Sequence, residues 1–148
     1  MIIAAVTPAD AADWLALRNA LWPGDRDDEH AEEIAQLLRE PGETVTLIAR
    51  DADQVAVGFA EASLRRDYVN GCETSPVAFL EGIYVIPSAR RSGVARSLVA
   101  AVEDWGREQG CTEFASDAVL DNIDSHRMHH ALGFMETGRV VFFRKPLS

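Results

Sequence analysis

The sequence predicts a mixed α/β fold, with a central mixed β-sheet flanked by helices, in one domain that spans residues 1–148. Two alternating apolar segments on either side of a short acidic turn predict an antiparallel hairpin. An apolar strand, an amphipathic helix and a second strand then predict a parallel pair with a right-handed crossover. The segments are residues 44–50 and 55–64 for the hairpin, and residues 77–86, 93–109 and 112–118 for the crossover unit.

The chain opens with an apolar strand over residues 1–6, which leads into a helix. Thr7 suits the N-cap of this helix, Pro8 suits its first position, and Asp10 can complete a capping interaction. The helix runs to about Ala20. Apolar residues at helical spacing predict its buried side, which consists of Trp14, Leu17 and Leu21.

The remaining elements follow in order. A second helix begins near Asp27 or Asp28, whose carboxylates suit a helix N-terminus, and it ends before Pro41. The helix at 93–109 has an apolar side of Val94, Leu98, Val102 and Trp105. A last helix covers residues 123–132, and a terminal pair of strands ends at Arg144. The predicted order is β-α-α-β-β-β-α-β-α-β-β.

Composition and charge argue against several classes of protein. The net charge is −10, from 24 acidic and 14 basic residues, which is the opposite of what binding to a nucleic-acid backbone requires. No apolar run approaches the roughly 20 residues of a membrane span, and the opening residues lack the basic leader of a signal peptide. Cys72 and Cys111 make neither a disulfide framework nor a metal cluster. We therefore expect a cytoplasmic protein with neither a nucleic-acid nor a membrane partner. Its acidity either steers cationic ligands or only keeps it in solution.

The turn after the strand at 77–86 predicts an anion site. Its sequence is Arg90-Arg91-Ser92-Gly93-Val94-Ala95-Arg96, and a helix begins within it. Unpaired backbone N–H groups and the positive end of the helix dipole therefore favour an anion at this turn. Gly93 permits close approach of a ligand, and the three arginines surround the anion with positive charge. A basic turn with an ordinary helix start is the alternative. The segment 90–96 is neither a Walker loop nor a dinucleotide fingerprint, because it has one glycine and no Gly-Lys-Ser/Thr.

This turn resembles the pyrophosphate loop of the GNAT superfamily of acetyltransferases, through the pattern Arg90-x-x-Gly93-x-Ala95 after an acyl-CoA-binding strand. The order of elements is similar over essentially the whole chain. Several segments are more narrowly similar to the aminoglycoside 6'-N-acetyltransferases. They are LWPG at 21–24, DYVNGC at 67–72, FLEGI at 79–83, ASD at 115–117 and ALGF at 131–134 with Glu136.

The resemblance implies how acetyl-CoA binds. Backbone N–H groups of the strand at Ile83, Tyr84 and Val85 would bind the pantetheine amide and polarise the thioester carbonyl. The pyrophosphate would lie on the amides of residues 91–96, and Asn122 would contact the cosubstrate near the next helix. An amine would then attack the thioester directly, without an acyl-enzyme and without a metal.

Two carboxylates are candidates for binding the amine and accepting its proton, which must leave before the nitrogen can attack. Glu81 is the one charged residue of an apolar strand, where burial of an unpaired carboxylate is costly. An edge position facing solvent is the alternative for Glu81. Asp117 follows the next strand, at the end of which ligands gather in open α/β sheets. A cap or turn residue is the alternative for Asp117.

The resemblance also implies contacts from loops. Trp22 and Tyr68 would contact the sugar rings, and Glu136 would hold the aminoglycoside together with the two other acids. Trp22 has the alternative of a hydrophobic plug under a helix end. Asp25 stands at a substrate-binding position where related sequences carry histidine. The acidic run that begins there is either a solvated helix face or a device that attracts polycations.

His129 is the candidate general acid, because it stands four residues before Gly133, where many superfamily members carry a tyrosine that protonates the departing thiolate. A histidine can donate a proton near neutral pH. A thiol with a pKa of about 8.5 leaves without much help. His126 and His130 lie nearby, but partner ligands for a metal are missing, and neither cysteine has an evident base.

The sequence thus predicts 6'-N-acetylation of an aminoglycoside, a cationic small molecule, by acetyl-CoA. One alternative is a GNAT enzyme for another amine, namely a polyamine, an amino-sugar or a protein amine. The other is a non-catalytic CoA-binding domain. Family members are commonly homodimers, and we expect one here. The apolar strands at 139–144 could pair across subunits or within one chain.

Overall fold

The protein is described by a computed structural model that covers residues 1–148. Five strands form one sheet in the order β1-β2-β3-β4-β5, with antiparallel pairing throughout except for the parallel pair β4–β5. The predicted mixed sheet and its hairpin are therefore confirmed. The strands are β1 (Ile2–Ala5), β2 (Thr44–Arg50), β3 (Ala56–Arg65), β4 (Val77–Val85) and β5 (Phe114–Ser116).

Four helices accompany the sheet, and none is long and apolar enough to cross a membrane. They are α1 (Ala11–Leu21), α2 (Asp27–Arg39), α3 (Val94–Glu108) and α4 (Ile123–Ala131), with short 3-10 turns at Pro8–Asp10 and Pro87–Ala89. The predicted capping box at the first turn is present, and the Thr7 amide donates to Asp10 Oδ2 at 2.8 Å.

The helices pack on both faces of the sheet. On one face Leu98 and Val102 of α3 are buried against Leu47 and Ala49 of β2. On the other face α1 and α2 cover Ile48 of β2 and Phe59 of β3 with Trp14, Leu17 and Ile34. Successive residues of a strand point to opposite faces, so one strand serves both cores. As predicted, Trp14 and Leu17 are buried, while Leu21 is half-buried.

A buried ion pair joins α1 to the sheet. Arg18 and Glu61 are each 6% exposed, and their side chains form two hydrogen bonds of 2.6 and 2.7 Å. The indole N–H of Trp14 also donates to Glu61, at 2.9 Å, and Arg18 reaches Glu33 on α2 as well. All the hydrogen bonds that the Glu61 carboxylate accepts from side chains thus come from α1.

An irregularity in β4 decides where the sheet opens. Glu61 stands opposite Gly82 and Ala62 stands opposite Leu80, so Glu81 is an extra residue in β4, which is a β-bulge. On its other side β4 pairs with β5 only from Ala78 to Leu80. Beyond Leu80 the two parallel strands part, and a gap opens between them.

Two predictions about the C-terminal part were wrong. β5 is shorter than the predicted residues 112–118, because β4 leaves it after Leu80. The terminal pair of strands, which was to end at Arg144, does not form, and residues 134–148 contain no strand. A strand needs a neighbour for its backbone groups, and residues 139–144 find none in this chain, with Phe142 and Phe143 90% and 93% exposed.

We expect Glu61→Gln to lower the free energy of unfolding by about 3 kcal/mol, because it leaves the buried Arg18 charge without its main partner. Urea denaturation of the two proteins measures the difference. Glu43→Gln is the matched control, since it removes an exposed carboxylate paired with Arg66. If Glu61→Gln shifted the urea midpoint no more than Glu43→Gln does, this account would be contradicted.

Candidate active site

The N-terminus of α3 presents a row of unpaired amides. Arg91 and Gly93 both adopt left-handed backbone, with φ of 63° and 86°, which turns successive N–H groups toward one side. The first backbone bond of the helix is donated by Ser97 to Gly93. No amide from Arg91 to Arg96 donates to an acceptor within the chain. The backbone of this loop is therefore available to hold an anion.

The arginine side chains of this loop differ from the prediction. The Arg90 guanidinium donates to the Val85 carbonyl at 2.9 Å and lies over the Tyr84 ring, so it ties the loop to β4. Arg96 reaches the Ala131 carbonyl at the end of α4, at 3.3 Å. Arg91 remains exposed. Two of the three arginines thus hold neighbouring elements in place, while their charges still raise the local potential.

Beyond the bulge, some backbone groups of β4 point into the gap between β4 and β5. The Ile86 amide donates to the Val57 carbonyl of β3, which places the backbone groups of residue 86 on the β3 side. Because these groups alternate along a strand, those of Ile83 and Val85 point the other way, toward the gap. The backbone of Tyr84, which stands opposite Phe59, faces β3 instead. Of the three predicted contact residues, Ile83 has open backbone groups, while Val85 has an open amide only, because its carbonyl accepts from Arg90.

Glu81 lies at the bulge, where its side chain faces out of the sheet and is one-third exposed, at 33%. It accepts hydrogen bonds from Ser63 at 2.7 Å and from Arg65 at 2.7 and 3.0 Å. The Arg65 guanidinium stacks on the Phe79 ring at 3.5 Å. The apolar residues around Glu81 suggested a buried, unpaired carboxylate. The bulge instead turns this side chain outward, where Ser63 and Arg65 bind it.

Trp22 packs directly on the bulged strand. A Cβ atom at Gly82 would lie 2.6 Å from the Trp22 indole, so only glycine admits this contact. His30 stacks on the indole with ring centroids 6.2 Å apart, and its Nε2 lies 3.2 Å from the Trp22 carbonyl oxygen. An open cleft of about 360 Å³ lies beside it. Its lining consists of Arg18, Trp22, Arg26, His30, Glu33, Glu61 and Glu81.

The other predicted substrate residues lie on exposed loops. Asp117 follows β5 directly and is exposed, as is Asp25 before α2. Tyr68 is 80% exposed, in the loop between β3 and β4. The Arg139 guanidinium, at 2.6 Å, lowers the pKa of Glu136 by hydrogen bonding. The structure brings Trp22 and Glu81 into one cleft and leaves these four side chains outside its lining.

His129 points at the end of β5. Its Nε2 lies 2.8 Å from Ser116 Oγ, and its Nδ1 lies 2.7 Å from the Ser125 carbonyl oxygen. His126 is directed elsewhere, at the Val119 carbonyl. The Asn122 side chain caps α4 by accepting from the Ser125 amide at 3.1 Å. No group of three or more His, Cys, Asp or Glu side chains is arranged to hold a metal ion.

Neither cysteine is prepared for nucleophilic attack. Burial raises the pKa of both thiols, and the neighbouring Glu113 carboxylate raises that of Cys72 further. Nucleophilic cysteines have lowered pKa values instead.

Sequence reasoning missed several residues of this region. Glu61 was a charged residue in an otherwise apolar strand, which was a usable signal. Arg18 and Arg65 gave none, because their partners are 43 and 16 residues away in the chain. Ser116 was visible only as part of a matching segment.

A parted parallel pair of strands with an amide-lined loop at its open end defines the class of protein. The family model of the Acetyltransferase (GNAT) family matches residues 11–134, and the chain belongs to this family. It is 54% identical over 148 residues to an aminoglycoside N(6')-acetyltransferase type 1 of Acinetobacter genomosp. 13, with 100% of both chains covered.

Two solved structures are similar over the whole chain. One is the unliganded aminoglycoside 6'-N-acetyltransferase AAC(6')-IG of Acinetobacter haemolyticus, with a TM-score of 0.93, 51% identity and 100% of both chains covered. The other is AAC(6')-Iy in complex with the bisubstrate analogue CoA-S-monomethyl-acetylneamine, with a TM-score of 0.92 and 49% identity. It covers 99% of this chain and 98% of its own.

We expect Gly82→Ala to displace the Trp22 indole, because the added methyl group has no room. Tryptophan fluorescence should report a change in emission that disappears when Trp22→Phe is combined with it. Gly138→Ala is the control, since its nearest neighbour is a side-chain oxygen of Asn70 at 3.3 Å. Identical emission spectra of Gly82→Ala and the unmodified protein would show that the contact is not tight.

Proposed function

We propose that this protein transfers the acetyl group of acetyl-CoA to the 6'-amino group of aminoglycosides and thereby confers resistance to them. The observation that carries the proposal is the unpaired amide row at the start of α3, which follows the part of β4 that is not paired with β5. Relatives of about half-identical sequence bear the corresponding name, and one was solved with an analogue joining CoA to acetylneamine.

The site supports transfer in a ternary complex. The amides of residues 91–96 bind the pyrophosphate of acetyl-CoA, and the backbone of Ile83 and Val85 binds the pantetheine arm and polarises the thioester carbonyl. Glu81 and Asp117 bind the cationic substrate from the β4 and β5 sides of the gap. Trp22 and Tyr68 offer aromatic faces to sugar rings. The amine attacks directly, and no metal takes part.

The other predicted contacts are secondary in this proposal. Glu136 and Asp25 add negative charge around the substrate, and the net charge of −10 steers polycations toward it. Asn122 shapes the cosubstrate site as the cap of α4. A different amine as substrate is the second candidate, since Glu33 and Glu81 in the cleft attract any cation.

Release of CoA in the presence of kanamycin or tobramycin tests the proposal. We expect turnover with either drug, a product heavier by one acetyl group, and no turnover with an aminoglycoside that carries a hydroxyl in place of the 6'-amine. Turnover of a polyamine or a peptide alone would replace the proposed substrate. Binding of CoA without turnover of any amine would indicate a non-catalytic domain.

Glu81→Gln keeps the shape of the side chain but removes its charge. We expect kcat/KM for tobramycin to fall by about 10- to 100-fold, which corresponds to the loss of one charge-assisted hydrogen bond. The dissociation constant of acetyl-CoA should stay the same, because its site is built from backbone amides. Glu43→Gln serves as the control. Unchanged kinetics would remove Glu81 from the substrate site.

We also propose a homodimer located in the cytoplasm, where acetyl-CoA is available. The support is the exposed apolar segment Val140, Val141, Phe142 and Phe143, which the chain's own sheet does not use. The double variant Phe142→Glu/Phe143→Glu should sediment as a monomer in analytical ultracentrifugation. Val55→Glu, at an exposed turn, should keep the mass of the unmodified protein. A monomeric unmodified protein would refute the dimer.

A further inference from the structure

A hydroxyl–imidazole pair lies where β4 and β5 part. Ser116 is the last residue of β5, and its Oγ lies 2.8 Å from His129 Nε2 and 3.3 Å from the Leu80 carbonyl oxygen on β4. The two strands share no pairing beyond these residues. Ser116 and His129 therefore close the inner end of the gap.

The backbone of α4 fixes the tautomer of His129. Its Nδ1 lies 2.7 Å from the Ser125 carbonyl oxygen, which can only accept, so Nδ1 carries the hydrogen. In the neutral ring Nε2 is then an acceptor, and the Ser116 hydroxyl donates to it. The Phe134 ring packs edge-on against the imidazole at 5.1 Å and limits its rotation. His129 is thus oriented to take a proton from Ser116.

The thioester of the cosubstrate belongs near this pair, if the proposed function holds. The stretch of β4 from Val85 back to Leu80 spans about 16 Å, at about 3.3 Å per residue. An extended pantetheine arm whose diphosphate lies on the amides of α3 can run this length along the gap. With the thioester carbonyl at the Ile83 amide, the acyl carbon then lies on the side of Ile83 that leads to Leu80 and Ser116.

We propose that Ser116 and His129 form a proton shuttle for acetyl transfer, with Ser116 as the group that touches the reacting atoms. The amine nitrogen bonds to the acetyl carbon and passes its surplus proton to Ser116 Oγ, while the Ser116 proton moves to His129 Nε2. The carbon–sulfur bond then breaks. The imidazolium returns its proton through Ser116 to the sulfur. Nitrogen and sulfur are bonded to the same carbon during transfer, so one hydroxyl serves both.

Single-turnover rates with acetyl-CoA and tobramycin test the shuttle, because they isolate the chemical step from product release. We expect Ser116→Ala to slow this step by roughly 100-fold, the low end for general acid–base catalysis, since a thiolate is a good leaving group. The dissociation constants of both ligands and the melting temperature should be unchanged. Ser116→Thr keeps the hydroxyl and should retain most of the rate.

Non-additivity separates a shuttle from two independent structural roles. Because Ser116 and His129 act in series, the double variant Ser116→Ala/His129→Gln should be no slower than the slower single variant. His130→Gln is the control, since its exposed side chain makes no hydrogen bond within the chain. A Ser116→Ala rate equal to that of the unmodified protein, or losses that multiply in the double variant, overturns the shuttle alone. An unmodified protein that acetylates no amine overturns the proposed function, and the shuttle with it.

Discussion

The extra residue in β4 is the constraint on which the site depends. A bulge bends its strand and increases the local twist, and β4 leaves β5 immediately before Glu81. The bulge also turns Glu81 outward, and the Trp22 indole packs directly on the backbone of Gly82. The bulge also leaves the backbone of Ile83 and the amide of Val85 without a partner from β5. Before the inserted residue β4 is paired on both sides and packs in the core. After it, one side of β4 is open and can bind a ligand.

Arginines hold the acids of this region in defined positions. Arg18 holds Glu61 inside the core, Arg65 holds Glu81 at the cleft, and Arg139 holds Glu136 on the surface. The buried pair stabilises the junction of α1 with β3, which in turn supports Trp22 at the end of α1. The Glu81 pair is different in kind, because it is partly solvated and can exchange partners at low cost. If Glu81 binds the substrate as proposed, the cation meets a carboxylate that Ser63 and Arg65 already orient, rather than one that must be ordered on binding.

The sequence predicts local features of this fold better than distant ones. The capping box at Thr7, the hairpin and the start of α3 after Gly93 depend on neighbouring residues, and each appears as predicted. The bulge was not predicted, although a charged residue and a glycine interrupt the apolar pattern of β4 at Glu81 and Gly82, because only the register with β3 reveals the extra residue. The contacts of Arg18 with Glu61 and of Ser116 with His129 likewise require the folded chain. The terminal strands failed for a related reason, since apolar alternation shows that a segment can pair but not what it pairs with.

The two halves of the site are built from different materials, and this has a consequence for specificity. In the proposed function, backbone amides of the loop before α3 and of β4 form the cosubstrate half, so substitutions that keep the main-chain path leave it intact. Side chains on loops and helix ends, such as Trp22 and Tyr68, form the other half in this proposal, and loops are where sequence varies most easily. A family that keeps one cosubstrate while changing amines needs this division, because the fold itself does not specify the acceptor. If the proposed site is right, the acceptor preference of this protein resides in the side chains around Glu81, while the backbone of the gap contributes the same transfer chemistry to each amine that they admit.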